Sequence, residues 1–393
     1  MAIVLKCASA FTYELDNPEK ALNEIVGQLK NQTEFLENTV GIILCHTEFV
    51  EGGVLAYISG KLPFETVGAT TASQAVNGSF GEMVLTVFVM TSDDVAFYAG
   101  ITESLEEDIE GPVRLAYERR PEGFGAPGLA VIFPPLLIKH SGDEYIRVFE
   151  KVMPNTPLFG SIAVDDSVTF SGAVTVYNGR HYENALSFLF CCGNIHPRFA
   201  IAALPPNPVA SVKGEITKSE GSRVYEINKT DAYSYLTSLE HSHNIRVINN
   251  MLMYPFWVDL VKRDNYDGVP VIRGLASVSE DGPALFRGDV DERSTFTLLT
   301  CNPQDVLKTT RECVDRVNKS DGINGVLFIS CIVRRMTILS GDPLAELQAV
   351  KEGIKPGIPF MTGYAGGEIC PTSVRDRIPT NRFHNYSLVV LVV

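Results

Sequence analysis

The chain has 393 residues, 45% of them hydrophobic and 20% charged, which is the composition of a globular protein with one large or two medium-sized domains. Its 33 basic and 47 acidic residues give a formal net charge of −14, which excludes nucleic acid and anionic membranes as expected partners, because both require clustered cations. The longest uncharged apolar runs, such as residues 129–138, are too short for a membrane-spanning helix, which needs about 18 residues.

The amino terminus and the cysteines indicate the compartment. Residues 1–7 contain no basic region ahead of their short apolar stretch, so we expect no signal peptide. The eight cysteines do not have metal-ligand spacing, and most lie in apolar segments, as Cys45 does, where cysteine behaves as a small core residue. We therefore expect a cytoplasmic protein with reduced thiols and with neither a metal nor a cofactor.

The first elements predict a unit of alternating strands and helices. An apolar strand at 3–11 leads to Asn17-Pro18, where asparagine is a good N-cap and proline suits the first helical position. The residues after Pro18 place their apolar side chains on one helical face. The next segments are a strand at 41–45, a short helical stretch at 50–60, a segment at 63–68 and a return strand at 82–89. The segment at 63–68 begins with proline and ends with glycine, and we call it a proline-to-glycine step.

A shorter copy of this unit follows. It begins with the strand 128–133, and Ser141 with Glu144 forms a candidate capping box for the next helix. Residues 157–160 repeat the step from proline through apolar residues to glycine. The chain then reaches a proline-rich segment, 204–208, which we interpret as an extended connector between a domain at 1–203 and a domain at 209–393.

The carboxyl-terminal part repeats the first unit again. Asn302-Pro303 opens its first helix, and Asn302 precedes the next strand's Gly325 by 23 residues, against 24 from Asn17 to Gly41. The other segments of this copy are strands at 296–301 and 325–331, a helix opened by Asp342-Pro343, a proline-to-glycine step at 359–363 and a final strand at 387–393. The common order indicates an ancestral duplication.

Hairpin signals between these units define the fold class. They lie at Asn77-Gly78, Asn178-Gly179, 219–222 and 280–282, each flanked by β-rich residues. Because hairpins produce antiparallel pairs while helical crossovers produce parallel ones, the sheets must be mixed. The predicted class is mixed α/β, in the sense of α+β, and not a doubly wound parallel sheet.

The strongest candidate for chemistry is a carboxyl-terminal polar cluster. Phosphate loops, dinucleotide fingerprints and zinc-protease helices do not occur in the sequence. The cluster consists of Cys331 and Arg334 at a strand end, Tyr364, Gly367 and Glu368 in a glycine-rich turn, and His384 and Asn385 before the last strand. Arginine can hold a carboxylate and glutamate an amine, which favours a ligand pocket. The alternative is structural: a tight glycine turn and an Arg334–Glu368 ion pair.

At this cluster the sequence resembles the FIST family of paired FIST N and FIST C sensory domains. The similarity rests on the strand ending in Ser330-Cys331 and Arg334, on Gly367-Glu368, and on Phe383-His384-Asn385. In the amino half, residues 67–72 and 157–166 resemble the FIST N signatures. The resemblance implies an intracellular sensor of small molecules, with amino acids as the proposed class and haem in some relatives. Relatives often carry an F-box or an output domain, for which this chain has no room, so we expect a separate signalling partner.

The resemblance and the cluster together predict a binding protein rather than an enzyme. The predicted ligand-binding residues are Arg334, Glu368, His384, Asn385, Tyr364, Cys331 and Gly367, with a second candidate loop at Asp165 and Asp166. One alternative is an enzyme with Cys331 as nucleophile and His384 as base, although the apolar neighbours of Cys331 indicate a buried thiol. Another is a haem-based sensor, for which no single histidine is distinguished; His241 and His243 are interpreted as surface residues of a helix.

Overall fold

The computed structural model describes residues 5–137, 139–167, 169–205, 208–249, 251–259, 270–339 and 341–393. Within these ranges the chain forms four β-sheets, three of six strands and one of eight, together with nine α-helices. Both parallel and antiparallel pairs occur, which confirms the predicted α+β class. None of the helices in the described ranges combines the length and the apolar character needed to cross a bilayer.

Three repeat units build the three six-stranded sheets. Unit 1 contains β1 (Leu5–Thr12), α1 (Pro18–Lys30), β2 (Asn38–Cys45), α2 (Glu48–Glu51), α3 (Val54–Ser59), β3 (Glu65–Thr70), β4 (Gln74–Val76), β5 (Ser79–Gly81) and β6 (Leu85–Ser92). Unit 2 contains β7 (Val95–Ile101), α4 (Glu110–Glu118), β8 (Leu129–Phe133), α5 (Gly142–Val152), β9 (Leu158–Ser161), β10 (Thr175–Tyr177), β11 (Arg180–Tyr182) and β12 (Ser187–Gly193).

Unit 3 begins with β13 (Arg198–Ala203) and is interrupted by the eight-stranded sheet. This inserted sheet contains β14 (Pro208–Glu220), β15 (Arg223–Ile227), β16 (Thr230–Asp231), α6 (Ala232–His243), β17 (Phe256–Asp259), β18 (Val271–Arg273), β19 (Leu275–Ser277), β20 (Ala284–Phe286) and β21 (Thr295–Leu299). Unit 3 resumes with α7 (Pro303–Asn318), β22 (Val326–Cys331), α8 (Ile332–Ile338), α9 (Ala345–Gly353), β23 (Phe360–Ala365), β24 (Glu368–Arg375), β25 (Ile378–His384) and β26 (Ser387–Val392).

The three units share one strand order. In unit 1 it is β1-β6-β2-β3, in unit 2 β7-β12-β8-β9, and in unit 3 β13-β26-β22-β23. The last pair in each order, β2-β3, β8-β9 or β22-β23, is parallel and aligns an isoleucine with a glycine: Ile43 with Gly68, Ile132 with Gly160, and Ile329 with Gly363. The predicted duplication and the shorter third copy are therefore confirmed as three structural repeats.

The units exchange their hairpins in a cycle. The hairpin β4-β5 of unit 1 pairs with β23 of unit 3, β10-β11 of unit 2 pairs with β3 of unit 1, and β24-β25 of unit 3 pairs with β9 of unit 2. Each six-stranded sheet consequently contains four strands of one unit and two of another. Residues 206 and 207 of the predicted connector, 204–208, lie outside the described residues. The strand before it, β13, pairs with β26 near the end of the chain, so unit 3 takes strands from both sides of the predicted boundary.

The alternation of side chains along the central strands creates two layers of core. Ile42, Val131 and Leu327 belong to one central cluster shared by the three sheets. Their neighbours in sequence, Ile43, Ile132 and Phe328, point to the opposite faces, where separate clusters include the helices of each unit. Both faces of each sheet are thus covered, which explains why these strands are apolar without interruption.

The predicted caps and turns are found with few differences. Asn17 and Asn302 cap α1 and α7, and Ser141 caps α5 by accepting a hydrogen bond from the Glu144 amide at 3.2 Å. The Glu144 carboxylate contacts His140 instead of completing a capping box. All four predicted hairpin turns connect antiparallel strands, and His241 and His243 lie exposed on α6 as interpreted.

A buried ion pair connects the inserted sheet to unit 2. The Arg273 guanidinium at the end of β18 donates to both carboxylate oxygens of Asp143, at 3.0 and 2.9 Å, in the first turn of α5. Arg273 also donates to the carbonyls of Asp289 and Phe383. Both charged groups are almost fully buried, so this contact fixes the inserted sheet against the repeat units.

Candidate functional site

The carboxyl ends of the three parallel strand pairs meet at one end of the molecule. Hydrogen bonds join residues at, or just beyond, the carboxyl ends of β3, β9 and β23 in a cycle. They run from the Val164 amide to the Thr70 carbonyl (3.2 Å), from Gly366 to Ile162 (2.9 Å) and from Ala72 to Tyr364 (3.3 Å). In mixed sheets such strand ends, with the loops that follow them, are the usual place for a ligand pocket.

A cavity of about 570 Å³ lies beside this junction, between the strand ends and the inserted sheet. Its described walls are mostly apolar: Leu136, Val164, Phe170, Met251, Met253, Leu275, Ala276, Ile332, Val333 and Met336. The other lining residues are Asn249, Gly274, Arg287, Cys331, Thr337, Gly366, Asn385 and Tyr386. An apolar cavity of this size with a few polar groups suits a small organic molecule. Of the predicted site residues, Cys331 and Asn385 line it.

Cys331 ends β22 and is 2% exposed. Both burial, which has the larger effect, and the nearby Glu368 carboxyl raise the pKa of its thiol well above the ordinary value. A thiol of this kind is a poor nucleophile, because the thiolate is the reactive form. The interpretation of Cys331 as buried is therefore confirmed.

Glu368 lies fully buried at the start of β24, where its Oε2 accepts a hydrogen bond from the Ser387 hydroxyl at 2.6 Å. Its Oε1 has no partner with normal hydrogen-bond geometry among the described residues, although the Cys331 thiol is close by. Burial raises the pKa of this carboxyl to about 8. At neutral pH the group is therefore mostly protonated, and the described structure places it behind Cys331 rather than in the cavity wall.

A Glu368→Gln variant is expected to gain stability relative to the wild type as pH rises. Below about pH 4.5 the carboxyl is protonated in both folded and unfolded chains; between about 4.5 and 8 only the unfolded chain ionises. The wild-type free energy of unfolding should then fall by roughly 1.4 kcal/mol per pH unit relative to glutamine, and level off above pH 8. Urea denaturation from pH 4 to 9 measures this, and a constant difference would contradict it.

Arg334 lies on α8 and not at a strand end, because β22 passes directly into this helix after Cys331. Its guanidinium is fully buried and contacts the Glu346 carboxylate, with Nε and Nη2 at 2.9 and 2.8 Å from Oε1. Glu346 also accepts from Ser330 and Thr310. The Arg334–Glu368 ion pair, which was the structural alternative to a ligand pocket, is therefore not formed. The carboxylate partner of Arg334 is Glu346.

Gly367 lies in the turn between β23 and β24, whereas Tyr364, which was predicted in the same turn, lies within β23. Tyr364 is fully buried beside Glu346, and its hydroxyl has no partner with normal geometry in the described structure. Burial raises the pKa of this phenol well above its ordinary value. Gly367 has φ of +125°, and a Cβ there would lie 2.3 Å from the Phe383 ring, so a glycine is required. Neither residue lines the 570 Å³ cavity.

His384 and Asn385 occupy the end of the β24-β25 hairpin and the turn after it. The His384 Nε2 lies 3.0 Å from the Cys370 carbonyl, and the side chain lines a second cavity of about 600 Å³ between β13 and the inserted sheet. Asn385 lines both cavities and donates to the His384 carbonyl at 2.9 Å. His384 and Cys331 thus face different cavities, and the hairpin brings Asn385 to the wall between them.

Asp165 and Asp166 form the loop after β9. The buried Asp165 carboxylate accepts hydrogen bonds from Ser167 and from the Gly172 amide, at 2.9 and 2.6 Å, and so closes the loop on itself. Asp166 is half exposed and contacts the His46 Nε2 at 3.2 Å. Burial is the largest single influence and acts to raise the pKa of Asp166, but the contacts with His46, a backbone hydrogen bond and the Arg335 charge together outweigh it, so the pKa is lowered. Neither carboxylate lines the cavity; Phe170 of the same loop does.

The sequence reasoning missed Arg287 and Phe170. Arg287 follows β20 in the inserted sheet, and Phe170 lies in the loop that Asp165 closes. No motif marks either residue, and more than one hundred positions separate them in the sequence. The Glu280-Asp281-Gly282 hairpin signal located the β19-β20 turn near Arg287, but it did not indicate that this hairpin covers the strand ends.

Comparison with protein families assigns most of the chain to two adjacent domains. The FIST N domain model matches residues 39–230, and the FIST C domain model matches residues 230–371. Leu136, Val164 and Phe170 come from the first match and Cys331 from the second, so the cavity lies where the two matched regions meet. No curated protein matched the chain.

Proposed function

Because the chain belongs to the FIST family, whose domains are sensory domains of signal-transduction proteins, we propose that it is a sensory protein that binds a small ligand. The ligand occupies the 570 Å³ cavity at the strand ends. The observation that carries this proposal is the position of the cavity, which takes wall residues from both FIST regions. A ligand in contact with both regions can change how they pack together.

The ligand is proposed to be an amino acid or another small metabolite, and the response to reach a separate signalling protein. No catalysis is assigned to the site, because Cys331 has a raised pKa and His384 lines a different cavity. A haem is disfavoured in this cavity because its described lining includes no histidine. We place the protein in the cytoplasm, since all eight cysteines have free thiols.

A thermal-shift screen of amino acids and metabolites tests the proposal. A ligand at about 100 times its Kd should raise the melting temperature by several degrees. The variant Ala276→Trp, which places a large ring in the cavity wall, should abolish the rise. Ser277→Trp is the matched control, because Ser277 is the exposed neighbour on β19 and does not line the cavity. If no compound raises the melting temperature, or both variants respond like the wild type, the proposal is wrong.

A further inference from the structure

Arg287 is the one charged residue among the described residues that line the 570 Å³ cavity. Its backbone is held at the end of β20, where the amide donates to the Gly274 carbonyl at 2.8 Å. The carbonyl of the same residue accepts a long hydrogen bond, 3.5 Å, from the side-chain amide of Asn385. These contacts fix the base of the side chain beside the cavity while the residue as a whole remains exposed.

The Arg287 guanidinium forms no ion pair with a carboxylate in the described part of the chain, unlike Arg273 and Arg334. Its five N–H donors are therefore available to a bound molecule. The rest of the cavity offers mainly apolar contacts, including three methionines, Met251, Met253 and Met336, whose flexible side chains adapt to different shapes.

We infer that the ligand of this cavity is an apolar monocarboxylate, with its carboxylate held by Arg287 and its hydrocarbon part between the methionines and Phe170. This inference rests on the proposed small-ligand function and narrows its chemistry. The planar guanidinium matches a carboxylate through two parallel hydrogen bonds. One cation balances one negative charge, whereas a phosphate ester would bring more charge than the described lining compensates.

The same lining distinguishes a carboxylate from an amino acid. A bound amino acid would also bring an ammonium group, which needs a carboxylate or several well-placed acceptors when it leaves water. None of the described lining residues is an aspartate or glutamate. Glu368, which the sequence offered as a partner for an amine, lies behind Cys331 and is mostly protonated at neutral pH, so it supplies no charge to the cavity.

Three compounds with one common tail test the inference: 4-methylpentanoate, leucine and 3-methylbutylamine. Calorimetric titration should detect the carboxylate, a weaker response to leucine and none to the amine. A wider panel of monocarboxylates, with straight, branched and aromatic tails of three to ten carbons, covers other tail shapes. Arg287→Met should weaken carboxylate binding by about tenfold or more, and Arg287→Lys by less. Arg223→Met, an exposed arginine of the same sheet outside the cavity, should bind like the wild type.

The outcomes separate this inference from the proposed function. If no monocarboxylate in the panel binds, or if Arg287→Met binds them as tightly as the wild type, the inference is wrong. A neutral or cationic metabolite that binds in the general screen and is blocked by Ala276→Trp would overturn the inference while leaving the sensory function intact. If no compound of any class binds, both fail.

Discussion

Arg334→Ala is expected to lower the free energy of unfolding by roughly 3–5 kcal/mol. The substitution leaves the Glu346 carboxylate fully buried without its cation, and it removes a hydrogen bond to the Tyr386 carbonyl. An uncompensated buried charge is among the most destabilising changes that a core can undergo. Urea or guanidinium denaturation followed by circular dichroism measures the loss.

Two further variants identify the cause. Arg335→Ala removes the adjacent arginine and should cost less than Arg334→Ala, because its partner Glu82 is half exposed and can be hydrated once the cation is gone. The double variant Arg334→Met with Glu346→Leu removes both charges and should recover much of the stability that Arg334→Ala loses. If Arg334→Ala is instead as stable as the wild type but no longer binds ligand, Arg334 is a ligand contact and the Glu346 pair is not essential.

Gly160→Ala and Gly68→Ala are each expected to destabilise the fold by roughly 3 kcal/mol or more. A Cβ at either position would lie 1.8 Å from a carbonyl oxygen of the parallel partner strand, that of Ile132 or Ile43. The φ angles of +148° and +156° are also ones that residues with a side chain rarely adopt. The strands would have to separate, so thermal and urea unfolding should both report a large loss.

The third repeat supplies the internal control for this prediction. At Gly363 a Cβ would meet the end of the Leu44 side chain at 2.9 Å, and φ is not in the left-handed region. Gly363→Ala should therefore cost less than about 2 kcal/mol, because a side-chain end can move where a backbone carbonyl cannot. Gly27→Ala, on α1 with no atom within 4 Å of the new Cβ, should be neutral or stabilising. Equal losses at Gly68, Gly160 and Gly363 would contradict this account.

Local features of the fold follow from local sequence signals. The caps at Asn17 and Asn302, the four hairpin turns and the uninterrupted apolar strands all depend on residues within a few positions of one another. The repeated order of these signals was enough to predict the duplication and its third copy. The helix α8 was not predicted, because β22 enters it without a turn residue or a side-chain cap.

The candidate site depends on contacts that no local pattern encodes. Arg334 and Glu346 are twelve positions apart, and apolar spacing indicated the helix that carries Glu346 without indicating that this glutamate points inward. The exchange of hairpins pairs β9 with β24, which starts more than 200 positions later in the sequence. The inserted sheet places Arg287 in the wall of the cavity at the strand ends. Of the predicted cluster, Cys331 and Asn385 line the cavity, while the cation that lines it, Arg287, lay outside the prediction.

The exchanged hairpins also impose an order on biosynthesis. β9 ends at Ser161 and its neighbour β24 begins at Glu368, so roughly 200 further residues must leave the ribosome before that edge is paired. At about 5–20 residues per second, the amino-terminal half of a nascent chain waits about 10 to 40 seconds with open strand edges. Exposed strand edges of this kind can form hydrogen bonds with strands of other chains, which leads to aggregation. We therefore expect the nascent chain to bind chaperones, and fragments cut between the two FIST regions to aggregate more readily than the full chain.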